Sequence, residues 1–165
     1  VIKNHHGQTL KFMGDGLMAI FSYNQQFQRT SMSDAEKAQL DQQQAADVCR
    51  HARLAAAELQ IKLQELKQER EAVGKVGASV GVGLHYGDVS YGNVGAAERL
   101  DFTVLGPHVN LASRTESLCS KLDAKVLCTG DFVKVDHEQD VWKCRGEHSV
   151  KGVADPVQIY ELTEI

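Results

Sequence analysis

Two apolar runs flank Gly14-Asp15-Gly16 in the stretch TLKFMGDGLMAIF, residues 9–21, and this arrangement constrains the fold more than any other feature of the chain. Glycines around a single acidic residue let the backbone reverse within two residues, so the segment predicts a β-hairpin with Asp15 at its tip. From 45 to 70, Val48, Ala52, Ala55, Leu59, Leu63 and Leu66 recur at steps of three and four. That is the period of an amphipathic helix packed on a sheet, with Glu58, Lys62, Glu65, Lys67 and Glu69 on the solvated side. Between hairpin and helix, residues 22–44 are polar, rich in Gln, Ser and Asp, and without apolar period, which predicts a long loop or insertion.

A second hairpin is predicted over 78–95, where ASVGVGLHYGDVSYGNVG places β-rich runs around Gly87-Asp88. Its interior glycines, Gly81, Gly83, Gly87, Gly92 and Gly95, point to bulges or to close approach of another backbone or a ligand. A short strand at 102–105 ends at Gly106-Pro107, and 109–118 has helical spacing with Val109, Ala112 and Leu118 facing a core. Strands are expected at 125–128, 141–144 and 157–162, with a small helix at 131–135. Hairpin, helix, hairpin, helix and mixed strands make an α+β domain, expected to carry its helices on one face of a sheet.

With 165 residues and 42% hydrophobic content, the chain suits one globular domain with its own core. A net charge of -4 without a basic block argues against general affinity for nucleic acid or anionic membrane, so phosphate binding has to be local. No apolar run approaches the roughly 20 residues that span a bilayer. Cys49, Cys119, Cys128 and Cys144 lack CxxC spacing and are expected to be buried free thiols in a reducing, cytoplasmic compartment. The chain starts at Val1 and enters a strand pattern almost at once, so it reads as an N-terminally shortened domain.

Taken singly, the polar residues of interest are ordinary. A carboxylate at a glycine-flanked hairpin tip can bind Mg²⁺ beside a triphosphate, but a lone Gly-Asp-Gly also serves simply as a turn. Asn110 and Arg114 lie one helical turn apart and project from one face; the forked guanidinium suits phosphate, although it could equally pair with an acid such as Glu116. Lys11 on the first hairpin and Lys151 in the loop SVKG are isolated cations. His85 in the glycine-rich segment reads as a hydrogen-bonded structural group rather than a base, and the other six histidines show no metal-site clustering.

In order along the chain, LKFMGDGLMAIF, VGLHYGDVSYGNVG, DFTVLGPHVNLASRTES and HSVKGVADPVQIYEL resemble the class III adenylyl and guanylyl cyclase family, and together they run through nearly the whole chain apart from residues 22–44. The resemblance implies a ferredoxin-like nucleotide cyclase domain, mainly antiparallel sheet with packed helices, lacking its first strand and the helices that follow it. It also implies conversion of ATP to 3′,5′-cyclic AMP and pyrophosphate by attack of the ribose 3′-hydroxyl on the α-phosphate. Asp15 matches the second of the family's two aspartates, which hold two Mg²⁺ or Mn²⁺ ions; these lower the pKa of the hydroxyl and stabilise charge at the α-phosphate. Asn110 matches the residue that orients the ribose, Arg114 the one that stabilises the phosphoryl transition state, and Lys151 the one that binds the terminal phosphates.

The same resemblance implies the base. Lys11 and Thr103 fall where adenylyl cyclases carry lysine and aspartate or threonine, and where guanylyl cyclases typically carry glutamate and cysteine. A lysine donates to an adenine ring nitrogen, whereas guanine presents an N–H there that a carboxylate would accept. ATP is therefore expected over GTP, and the Lys/Thr pair resembles the bacterial and soluble-cyclase branch. In the family the metal aspartates of one subunit face the base and transition-state residues of the other, which implies a head-to-tail homodimer with ATP at the interface.

Two departures stand out. No F-x-D-x-x-G-F-like segment precedes Thr9, so the first metal aspartate is absent and this chain by itself is expected to catalyse little. Gly81 stands where many relatives carry an arginine. A catalytically silent, cyclase-like dimerisation module and a guanylyl cyclase are the alternatives; the diguanylate cyclases are set aside because the chain lacks GG[DE]EF.

Overall fold

A computed structural model describes residues 1–23, 33–96 and 99–163. The chain opens with a single 3-10 turn (Ile2–His5) and then forms the hairpin of β1 (Gln8–Met13) and β2 (Gly16–Ile20). A long helix α1 (Asp34–Ala72) leads to β3 (Val82–Leu84), and the hairpin of β4 (Ser90–Ala96) and β5 (Arg99–Leu105) follows. Helix α2 (Pro107–Leu122), β6 (Val126–Thr129), a short α3 (Gly130–Val135), β7 (Trp142–His148) and β8 (Val157–Leu162) complete the fold.

The central sheet has the order β3-β6-β8-β7, with β3 parallel to β6 and the remaining pairs antiparallel. Strand β6 is buried along its whole length, and its side chains alternate between two cores, as a period of two requires. Val126 and Cys128 join Cys49, Ala52 and Ala56 of α1, Phe132 and Val133 of α3, and Trp142 and Leu162. Leu127 joins Leu118 and Cys119 of α2, with Val150 and Ile159. Helices therefore cover both faces of the sheet, correcting the expectation of one. The reason lies in β6, whose Val-Leu-Cys run is apolar at successive positions and needs cover on each side.

Helix α1 starts eleven residues before residue 45, so 34–44 is helix and not loop; residues 24–32 lie outside the described residues. Its start is set locally. Ser33 Oγ accepts from the Glu36 amide at 3.3 Å, and the Glu36 carboxylate accepts from the Ser33 amide at 2.7 Å, a reciprocal cap that satisfies two otherwise orphaned donors. The inner face is a stripe of small residues, Ala45, Cys49, Ala52 and Ala56, which lets the helix lie close to the sheet. Arg53, on the same face, donates from Nε to Asp136 at 2.8 Å, and Asp136 also accepts from the Trp142 indole at 2.9 Å. Removing one member of such a buried pair costs about 3–5 kcal/mol. Leu66 stays exposed, so the apolar period in the last turns of α1 does not mark a buried face.

The predicted hairpin over 78–95 does not form. Strand β3 is three residues long and pairs with β6, whereas β4 pairs along its full length with β5, from Ser90↔Leu105 to Ala96↔Arg99. Gly83 and Gly87 explain the error, because they serve close approach and not a turn. A Cβ on Gly83 would lie 2.3 Å from the Glu116 amide nitrogen and 2.6 Å from the Ala112 carbonyl, so α2 rests directly on the backbone of β3. A Cβ on Gly87 would lie 2.3 Å from His108 Nδ1.

Candidate active site

The tip of the first hairpin is a two-residue turn, Gly14-Asp15, closed by the Met13↔Gly16 pair. The positive φ, 64°, falls on Gly14, the position at which a type II′ turn needs glycine. Asp15 is therefore spared that strain and projects as an exposed carboxylate. Lys11, opposite Met18 on β1, is half-buried. Strand β1 packs on β5, and Gln8 Nε2 donates to the Tyr91 hydroxyl at 3.3 Å, tying this hairpin to the next. On β5, opposite Gly92, Thr103 is 3% exposed and its Oγ1 has no hydrogen-bond partner among the described residues. Leaving a buried hydroxyl unsatisfied costs about 1–3 kcal/mol.

The second group of residues gathers around α2. Gly106 precedes the helix with φ 141° and no side-chain cap, and Pro107 occupies the first helical position, where its missing N–H costs nothing. Asn110 lies in the first turn and is exposed; Arg114 lies one turn later and is half-buried. The Arg114 guanidinium reaches the connection between β7 and β8, where Nη1 is 3.0 Å from the place a Cβ would take on Gly152. Lys151, next to Gly152 in the same turn, is exposed. The fold thus brings Arg114 and Lys151 to one place from distant parts of the sequence. Asp15 and Lys11 belong to the first hairpin, and Thr103 to the strand beneath it.

None of Lys11, Asp15, Asn110, Arg114 and Lys151 spends its side chain on a hydrogen bond or ion pair among the described residues. Arg114 in particular does not pair with Glu116. Three cations, an amide and a carboxylate are left with their polar atoms available to an anionic, hydrogen-bonding ligand.

For a metal the fit is incomplete. Asp15 supplies one oxygen-bearing group, and no cluster of three or more His, Cys, Asp or Glu exists among the described residues. A divalent ion takes several oxygen ligands at once, so this carboxylate does not by itself make a metal centre.

The glycine at position 81 also has a local explanation. A Cβ there would stand 2.7 Å from Cys119 Cβ and 3.2 Å from its Sγ, so a long side chain would displace α2. His85, expected as a hydrogen-bonded structural group, is one, and its partner is His108, to which the sequence reading gave no role. His85 Nδ1 lies 2.7 Å from Thr129 Oγ1 and its Nε2 lies 2.7 Å from His108 Nδ1, the two rings being stacked with centroids 5.0 Å apart. Burial, then the neighbouring His108, pushes His85 down to about 4, partly opposed by Asp131. The available signal was position: His108 stands two residues before Asn110, directly after Gly106-Pro107. The thiol expectation holds for Cys49, Cys119 and Cys128, which are buried and free, and fails for Cys144, which is free but exposed. On an edge strand with a solvent-facing side, Cys144 has no layer to cover it.

Residues 1–164 match the adenylate and guanylate cyclase catalytic domain family. The chain is 31% identical over 159 residues to an adenylate cyclase of Anabaena cylindrica, covering 92% of this chain and 27% of that protein. With adenylate cyclase 1 of Rhizobium meliloti it shares 26% over 165 residues, 100% of this chain and 22% of the relative. It spans about a quarter of the length of these relatives. Among solved structures, the guanylyl cyclase Cya2 superposes with a TM-score of 0.69 at 25% identity, covering 99% of this chain and 73% of that one.

Proposed function

Because the chain belongs to the adenylate and guanylate cyclase catalytic domain family, we propose that it is the greater part of an adenylyl cyclase domain, forming 3′,5′-cyclic AMP and pyrophosphate from ATP. The relatives include cyclases for both bases, so membership alone does not choose between them. The observation that carries the adenine reading is Thr103, a buried hydroxyl with no partner of its own. Lys11 lies on β1, which packs on β5, and we read the two side chains together as the donor and the donor-acceptor that meet the edge of a purine. Lys11 donates to a ring nitrogen that is unprotonated in adenine and protonated in guanine.

The remaining roles follow from what each free side chain can do. Arg114 and Lys151, converging on one turn, bind the phosphate chain; the guanidinium fork stabilises charge that develops on the α-phosphate oxygens as pyrophosphate departs. Asn110, one turn before Arg114 on the same face, orients the ribose so that its 3′-oxygen attacks in line. Asp15 contributes one ligand of a two-ion Mg²⁺ or Mn²⁺ site. Since Asp15 belongs to no group of three or more metal-ligating side chains among the described residues, we propose that these 165 residues by themselves turn over little ATP.

The site is proposed to lie between two copies of the chain. What supports a homodimer is a pair of apolar side chains on the hairpin that carries Lys11 and Asp15: Phe12 is 78% exposed opposite Leu17 at 45%. Such a pair on a surface hairpin marks an interface. Among the described residues no helix is long and apolar enough to cross a membrane, and the free thiols suit a reducing cytoplasm.

The test is a pair of rate measurements with ATP and GTP in the full-length protein, and the same in Lys11→Glu with Thr103→Cys. The expected result is cyclic AMP formation that the double substitution lowers while raising the GTP rate. Faster GTP turnover by the unsubstituted domain would overturn the adenine reading. Cyclic AMP formation by the 165-residue chain with Mn²⁺ would overturn its proposed inactivity.

A further inference from the structure

The first turn of α2 carries Asn110, and no side chain caps its start. Gly106 has no side chain with which to cap the helix, so the usual anchor of a helix start is missing. The turn is held instead from outside. His85 and Thr129 follow one another in the parallel register that ends with Leu84↔Cys128, and their side chains meet at 2.7 Å. His85 reaches on to His108 Nδ1, also at 2.7 Å. The edge of the His108 ring that carries Nδ1 also bears on the backbone at Gly87, where a Cβ would lie 2.3 Å from Nδ1 and 2.8 Å from Cε1.

We propose that His108 is a positioning residue for the cyclisation, joined with His85 and Thr129 in a hydrogen-bonded clasp that fixes the first turn of α2 and thereby aims Asn110 at the ribose. The assignment of a ribose rests on the adenylyl cyclase reading; the clasp does not. Thr129 is fully buried, so the clasp is anchored in the core of the sheet and transmits the position of β6 to the helix. A second, independent anchor lies farther along the helix, where Gly83 meets the backbone at Ala112 and Glu116. Arg114 sits between those two residues and is held by that contact. Loss of the clasp therefore misplaces Asn110 more than Arg114.

The groups that act on His85 are His108 from α2 and Asp131 from α3. With His85 neutral, each bond in the clasp has one proton, and the direction can run either way.

Three measurements on His108→Ala and His108→Asn test this. In the full-length protein, His108→Ala is expected to lower kcat about tenfold, the size of effect that a displacement of less than 1 Å produces. The KM for ATP should stay within about twofold, because the phosphate-binding cations are anchored elsewhere. His108→Asn, whose amide can occupy the place of Nδ1, should restore most of the rate. An unchanged kcat in His108→Ala overturns the proposal. So does a loss that merely follows the folded fraction in thermal melts and is not restored by asparagine. A domain that makes no cyclic nucleotide would sink the functional reading and leave the clasp to the third measurement, amide NMR of the 165-residue chain. Shifts at Asn110 in His108→Ala that return in His108→Asn support the clasp, and an unperturbed Asn110 overturns it.

Discussion

The guanidinium of Arg114 lies against Gly152, with Nη1 3.0 Å and Nη2 3.3 Å from the position of a Cβ on that glycine. Gly152 also has φ 73°, a conformation that costs an L-residue about 1–2 kcal/mol. Gly152→Ala therefore does two things: it strains the turn modestly and pushes the guanidinium aside by a few tenths of an ångström. The domain should remain folded, with a melting temperature lowered by a few degrees, while turnover falls about tenfold. Melting and steady-state kinetics on the same preparation check this. Full activity would show that the Arg114 head is not where catalysis needs it.

Gly83→Ala should behave differently, because the atoms a Cβ meets there are backbone. The Glu116 amide at 2.3 Å and the Ala112 carbonyl at 2.6 Å cannot rotate away, so α2 as a whole has to lift from β3. Overpacking of that kind costs about 1–3 kcal/mol or more. Chemical denaturation should show a lowered midpoint with the slope unchanged. A midpoint equal to that of the unsubstituted chain would mean that α2 does not rest on Gly83.

What could be read from the sequence follows the range of the interactions that decide each element. The first hairpin was legible because Gly14 and Asp15 close it within two residues, and α2 because Leu118 and its neighbours repeat at helical spacing. Strand β3 was not, since its partner β6 lies far along the chain and the glycines that mimic a turn are placed for α2 and His108. The start of α1 was hidden by polar residues on all sides, although Ser33 and Glu36 held a local signal of it. In the site, Lys11, Asp15, Thr103, Asn110, Arg114 and Lys151 were named by resemblance. Their individual chemistry is too ordinary to single them out. The approach of Arg114 to Gly152 and of His85 to His108 depends on tertiary packing that no local pattern records.

The thiols should divide one to three. Burial, with Asp136 nearby, pushes Cys49 up to about 12, and burial pushes Cys119 up to about 11. Cys128 is raised as well, by burial, then by Asp136 and Cys49. At pH 8 these three hold almost no thiolate, the reactive form, whereas Cys144 is exposed. A disulfide reagent should react quickly with one thiol in the native chain and with four in denaturant. A second fast thiol would mean that one of the two cores opens readily.

Stability should fall as the pH drops from about 6.5 toward 4, and His85 should account for much of the fall. Its folded value is lowered from 6.5 to about 4 by burial and by His108. Below 6.5 the unfolded chain therefore takes up a proton that the folded chain refuses, so the contribution is complete above 6.5 and lost on the way down to 4. Each unit corresponds to about 1.4 kcal/mol, reduced here because His85 is only half-buried and partly screened. Glu58, lowered mainly by its hydrogen bond from His5, acts in the same direction but below its ordinary value of 4.5, so the two effects separate along the pH axis. His51, lowered by partial burial and then by His6 and Arg50, overlaps His85 and needs its own control. Melting temperatures from pH 4 to 7 should fall more gently on acidification in His85→Gln than in the unsubstituted chain, with His51→Gln showing a smaller flattening. An unchanged slope in His85→Gln would mean that His85 is not held neutral by the fold, and the bond from His85 to His108 would then have to be a charged one.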